Sequence, residues 1–144
     1  MKSKNLKFII IDLIGTTARL NKKNKPTIVL MTRWHAIYRC KSRLAKDIGA
    51  LNAAKIQEKL TKHTLKVAKK IQKEGLADVK VAIDGIGIQA AKKWALRNKI
   101  KKVATQGAGN LGTKMKRQFL KTNSGKNLSK KIRNPILIIG SDLP

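Results

Sequence analysis

The sequence predicts an α/β domain: three antiparallel strands, then helix-strand-helix-strand, in one mixed sheet flanked by helices. Three observations predict it. Apolar runs rich in β-branched residues stand at Phe8–Ile11, Thr27–Thr32 and Val79–Ile83, and such side chains suit a pleated surface. Between the second and third run, apolar residues recur at helical spacing over Lys46–Lys73. After that helix, strand and helix patterns alternate, as in parallel strands linked by crossovers.

Met1–Lys7 is a short basic arm, and Leu6–Leu13 is the first strand. Thr16–Leu20 and Thr27–Thr32 follow as strands joined by a polar turn over Asn21–Lys25 and Pro26, the pattern of a hairpin. Arg33–Arg43 lacks a period and carries four cations, so it reads as an irregular loop. In the long helix, Ala53, Ile56, Leu60, Thr64, Val67 and Ile71 fall on one face. Asp47 caps its start, Lys69, Lys70 and Lys73 suit its negative end, and Gly75 suits a left-handed stop. Val79–Ile83 is the next strand. Gly85 and Gly87 lead into a helix over Gln89–Asn98, anchored by Ala91, Trp94 and Ala95, and Ile100–Thr105 is the last regular strand.

Beyond Gln106 the composition changes. Gly107–Gly112 is a glycine-rich loop, Thr113–Leu120 a short helix, Thr122–Ser129 a polar stretch, and Ile136–Ile139 an apolar patch suited to a sheet edge or a protein neighbour. No acid occurs from Gly85 to Ser141. The predicted division is residues 1–106 as an α/β domain and 107–144 as a basic extension ordered on its partner.

Charge bounds the function. Lys and Arg total 34 against 7 acids, for a formal charge of +27 in 144 residues. Self-repulsion on that scale calls for a polyanion. Lys outnumbers Arg 27 to 7, which favours point-charge contacts to phosphate over forked reading of bases. Aromatics are 3%, too few for stacking platforms or membrane anchors. Cys40 is the only cysteine, and His35 and His63 are the only histidines, so no disulfide framework or Cys-rich zinc site is expected. The apolar runs are far shorter than a membrane span.

Gly107, Gly109 and Gly112 match G-x-G-x-x-G after a strand, but Lys126, Lys130 and Lys131 stand where a dinucleotide fold places an acid. No cofactor is expected. Asp12, Glu58 and Asp84 lie on the elements where ribonuclease H-type nucleases hold metal ions. Asp142 aside, no acid follows Asp84, and Asp12 and Asp84 read as strand-end turn residues.

The element order, with three local segments, resembles ribosomal protein eleven of the small subunit. Tyr38-Arg39-Cys40-Lys41-Ser42-Arg43 resembles the family's aromatic-basic loop. Ala53-Ala54 and the helix ending at Gly75-Leu76 resemble its Ala-rich helix, and Val79–Gly87 resembles its strand and glycine loop. The resemblance covers Leu6–Thr105. It departs at Gln89 and Ala90, where the family has Gly and Arg, and from Gln106 onward. It implies a ribonuclease H-like fold and a structural, non-enzymatic constituent of the small-subunit platform. The partners implied are rRNA and neighbouring ribosomal proteins, with no membrane and no small-molecule substrate. Expected rRNA contacts are Arg33, Arg39, Lys41, Arg43, Gly85, Gly87, Lys114, Lys116, Arg117, Lys121, Lys126, Lys130, Lys131 and Arg133. The alternatives are a protein like ribosomal protein eighteen of the large subunit, a metal-dependent nuclease and a nucleoid-type DNA binder. Lys, Asn and Ile enrichment and decayed motifs point to a mitochondrion, with a plastid or a bacterium as alternatives.

Overall fold

The computed structural model describes residues 25–123 and 134–141. Its elements are β1 (Thr27–Arg33), α1 (Ser42–Ile48), α2 (Ala50–Lys73), β2 (Asp78–Asp84), α3 (Ile88–Arg97), β3 (Lys102–Thr105), α4 (Leu111–Asn123) and β4 (Ile136–Gly140). The four strands form one sheet in the order β3-β2-β1-β4. Among the described residues every pairing is parallel: Thr27 stands beside both Asp78 of β2 and Ile136 of β4, and Lys80 beside Lys102 of β3.

This corrects the expected mixed, ribonuclease H-like sheet. β1 has hydrogen-bonded neighbours on both sides, so neither of its edges is open to an antiparallel hairpin partner. Its sequence carries the reason. Ile28, Val29, Leu30 and Met31 are buried in succession, the unbroken run of a central parallel strand covered on both faces. An antiparallel strand with one wet face would alternate. The strands expected at Leu6–Leu13 and Thr16–Leu20 lie outside the described residues, as does Asp12.

The long helix is broken. Gly49, with φ +84°, separates α1 from α2, a conformation that glycine adopts without a Cβ penalty. The face of α2 that meets the sheet also differs from expectation. Ala53, Ala54, Gln57, Thr61, Leu65, Ala68 and Ile71 are buried, while Ile56, Leu60 and Val67 are half-buried at its flank. Small residues let the helix axis lie close to the strands, so alanine rather than the largest aliphatic marks the contact line. Leu65 and Ala68 of α2 and Ala91 of α3 pack with Leu30, Val79, Val81 and Ile83. Both helices therefore cover one face of the sheet. On the other face Val29, Met31 and Ala82 pack with Ile136 and Ile138, and Lys80 of β2 donates to Thr122 of α4.

The chain thus winds from β1 outward through β2 to β3, crosses by α4, and returns to the far side of β1 with β4. Residues expected to form a basic extension after Gln106 supply α4 and β4. Ile136–Ile139 pairs with β1 at the sheet edge.

At the carboxyl end of β1 a buried polar cluster ties three elements together. Gln57 Nε2 of α2 donates to Ser141 Oγ (3.2 Å) and Thr61 Oγ1 (3.3 Å). Ser141 Oγ donates to Thr32 Oγ1 at 2.9 Å, and the Thr32 and Thr61 hydroxyls are 2.7 Å apart. Gln57 is 1% exposed, so its partners have no water to turn to. Replacing Gln57→Leu is expected to cost about 1–3 kcal/mol, the penalty of buried groups left unpaired. Urea unfolding followed by tryptophan fluorescence measures it, and an unchanged midpoint would show that the cluster contributes nothing.

Candidate functional site

The carboxyl ends of the strands form one edge, and three features converge there. The first is a fork in topology. β1 and β4 are neighbours, but the chain leaves β1 in one direction and reaches β4 from the other. Connections on the two sides of such a point diverge and leave a crevice, where open α/β sheets hold their ligands.

The second feature is a carboxylate between two cations. Asp84, the last residue of β2, accepts from Lys114 Nζ at 3.0 Å and from Arg33 Nη2 at 3.3 Å. Arg33 ends β1, and Lys114 lies in the first turn of α4. Partial burial pushes the Asp84 carboxyl up, but the Lys114 and Arg33 charges outweigh it and hold the group below its usual value. The Arg33 side chain is 55% exposed and that of Lys114 only 14%. Arg33 is therefore the cation an incoming anion meets first.

The third feature is the loop between β3 and α4. Gln106 closes the sheet end: its side-chain NH₂ donates to the carbonyls of Thr32 (3.0 Å) and Ala82 (2.9 Å), and its backbone NH to that of Ile83 (2.9 Å). Arg117 reaches back from α4 to the Gln106 carbonyl and to the Ala108 carbonyl at 2.9 Å. Gly107 has φ +76°, and a Cβ there would stand 2.8 Å from the Arg117 guanidinium, so a side chain would displace the clamp. Asn110 Oδ1 accepts from the Thr113 backbone NH (2.9 Å) and hydroxyl (3.0 Å), an N-cap that fixes where α4 begins. The glycine-rich stretch is thus a loop held at both ends, not a loose turn.

The expected contact residues divide by place. Arg33, Gly85, Lys114 and Arg117 gather at this edge. Gly87 caps α3 beside it, with space around its Cα. Arg39, Lys41 and Arg43 belong to the segment that leads from β1 into α1. There the Arg39 backbone donates to the Ala36 carbonyl, and Tyr38 and Lys41 take positive φ. Lys116 is exposed on α4, and Lys121 lies further along that helix, where its charge reaches Lys80. Lys126, Lys130, Lys131 and Arg133 lie outside the described residues. Trp34 and His35 stack after β1 with ring centres 4.3 Å apart, and Trp94 meets Trp34 edge-on at 6.2 Å.

Gln57, Thr61, Gln106 and Ser141 escaped the sequence reading. One signal was available for the first two: polar side chains four residues apart, in line with Ala53, Ala54, Leu65 and Ala68. Glu58 and Asp84 do not converge as a nuclease needs. Glu58 pairs with Lys62 at 2.6 Å, while Asp84 faces Arg33 and Lys114. Among the described residues no three His, Cys, Asp or Glu side chains gather, and no helix is long and apolar enough to cross a membrane.

Comparison with known proteins overturns the ribosomal resemblance. The sequence model of a family described as "uncharacterized protein conserved in bacteria" (DUF2064) matches residues 64–144. No curated protein matches. A crystal structure from Desulfovibrio desulfuricans G20, provisionally named a nucleotide-diphospho-sugar transferase, superposes with a TM-score of 0.57 at 19% identity. The match covers 81% of this chain and 47% of that one, so the chain spans about half its length. At that identity the likeness is one of fold. The ribosomal assignment, its large-subunit, nuclease and DNA-binding alternatives, rRNA and ribosomal proteins as partners, and the exclusion of catalysis and of a small-molecule substrate all fall with the resemblance. The matching family is not a ribosomal one, and its model extends through β4, which the ribosomal likeness left out. With more than half of its length matched, the chain belongs to the DUF2064 family of bacterial proteins.

Proposed function

We propose that the chain binds a nucleotide-diphospho-sugar at the carboxyl edge of the sheet and takes part in transfer of the sugar. The observation that carries this reading is the fork between β1 and β4, with the Arg33, Asp84 and Lys114 group beside it at the same carboxyl edge. A solved protein of the same fold, named for that chemistry, supports it.

In such a transfer the bond between the sugar's anomeric carbon and a diphosphate oxygen breaks. An acceptor hydroxyl forms the new bond and loses its proton, and negative charge collects on the departing nucleoside diphosphate. Arg33 and Lys114 are fixed cations at the edge where that charge would develop, and charge held in advance costs no reorganisation during reaction. Asp84 spaces the two cations and keeps Lys114 from folding back over the loop. The clamp from Arg117 holds the Gly107 turn clear of the space a diphosphate needs. Trp34 and His35, half-buried beside it with their rings tilted by 34°, offer aromatic surface for a base or a sugar ring.

Calorimetric titration of the full chain with UDP, GDP and ADP tests the reading. At least one is expected to bind, with the monophosphate of the same nucleoside weaker. The double substitution Arg33→Ala with Lys114→Ala is expected to weaken binding about ten- to a hundredfold, the size of a lost charge-assisted contact. Absence of binding by every diphosphate, or equal binding by the double variant, would sink the proposal.

Asp84 gives an independent prediction in pH. Its folded-state value is lowered, so the stability it contributes is complete above the ordinary carboxylate range and disappears as pH falls through the folded value. Asp84→Asn is therefore expected to unfold at lower urea concentration than the parent at pH 7, by about 1–2 kcal/mol. The two proteins are expected to converge once the pH has fallen below the folded-state value of Asp84. A difference that persists unchanged into acid would assign the effect to packing instead.

A further inference from the structure

A second charged feature lies at the opposite, amino-terminal edge of the sheet. A groove of about 930 Å³ runs along the last turns of α2 and across the strand starts. Lys66, Lys69, Lys70 and Lys73 line it from the helix, and Lys25 and Lys101 from just before β1 and β3. Asp78 supplies its only carboxylate, 3.8 Å from Lys25 Nζ and 3.2 Å from Lys102 Nζ. Among the described residues, Lys66, Lys70, Lys73 and Lys101 have no acidic partner. The helix dipole accounts for cations at Lys70 and Lys73 in the last turn but not for Lys66, about two turns upstream.

We propose that this groove binds a flexible, base-free polyanionic chain, of the chemical class of inorganic polyphosphate. Four properties select that class. Lysines three and four residues apart on one helix face stand about 5–6 Å apart at Cβ, so Lys66, Lys70 and Lys73 form a ladder suited to a chain with closely repeated charge. Lysine meets phosphate as a point charge, without the planar fork that reads bases. Among the described residues no Trp, Tyr or Phe lines the groove and His63 is its one aromatic ring, so it lacks the run of stacking surfaces on which single-stranded nucleic acid sites hold successive bases. The surface is concave and its one aliphatic side chain is Val67, whereas a bilayer needs a flat or convex face with bulky anchors. Beside the ladder, Lys69 is held in place by its bond to the Asn98 carbonyl, which fixes one wall of the groove before any ligand arrives. The groove lies across the sheet from the nucleotide-sugar site, so the two bind independently.

The test is binding of long-chain inorganic polyphosphate to the full chain, measured over a range of salt. Lys66→Ala, Lys70→Ala and Lys73→Ala combined is compared with a triple of equal charge change elsewhere, Lys55→Ala, Lys92→Ala and Lys93→Ala. The groove triple is expected to lose at least tenfold in affinity, and its salt slope to fall by about 2, near 0.7 for each lost contact to a flexible chain. The control triple is expected to lose less than threefold, and Lys→Arg at the three groove positions to retain binding. Equal losses in the two triples would reduce the effect to net charge and overturn the proposal. So would a single-stranded oligonucleotide, or anionic lipid vesicles, whose binding depends on the groove lysines more strongly than that of polyphosphate.

Discussion

Everything at the carboxyl edge depends on how the end of β1 satisfies its polar groups. A central parallel strand has no water on either side, so each donor and acceptor at its exit must find a partner in the protein. Thr32 is where that demand concentrates. Its carbonyl accepts from Gln106, and its hydroxyl meets those of Thr61 and Ser141. Through these contacts one residue fixes the height of α2, the end of β4 and the start of the glycine loop. The crevice between β1 and β4 has a defined shape because these bonds leave its walls no alternative arrangement.

Electrostatics at that edge work by restraint rather than by neutralisation. In a chain so rich in lysine, free cations would spread apart. Asp84 instead gathers one from β1 and one from α4. Burial makes its charge costly, and the two cations more than offset that cost. The result is a preset pair of positive groups on rigid elements, with one side chain exposed and one sheltered. Among the described residues, the lysines along the last turns of α2 line a concave groove.

Much of the fold was legible in local patterns. The helices over Ile88–Arg97 and Leu111–Asn123 and the strands at Thr27–Arg33 and Asp78–Asp84 stand close to where periodicity puts them, whereas Ile136–Gly140 read only as an apolar patch suited to a sheet edge or a protein neighbour. The strand directions were not legible from periodicity alone. The continuous burial of Ile28–Met31 is the mark of a parallel centre, but a short apolar run has no period to distinguish it from an edge strand beside a turn. On α2 the eye followed Ile56 and Leu60, the bulkiest side chains, whereas close packing against a sheet selects Ala54 and Ala68. In the sequence Arg33 and Lys114 read only as cations expected to contact rRNA. Their pairing through Asp84, which joins positions 33, 84 and 114, exists only once the sheet is assembled. The Gln57 cluster was hidden for the same reason, since a glutamine on a helix reads as solvated until its partners arrive from β1 and β4.

The shared hydroxyl cluster has an evolutionary consequence. Ser141 is distant in sequence from Gln57 and Thr61, yet the three complete one another's hydrogen bonds in a dry interior. A change at one position alters the worth of the residues at the remaining two, so their effects cannot simply add. Drift at this place must pass through strained intermediates or move several positions together. Relatives of this chain that have lost one member of the cluster should therefore have replaced its companions as a set, with an aliphatic plug where the polar knot stands here.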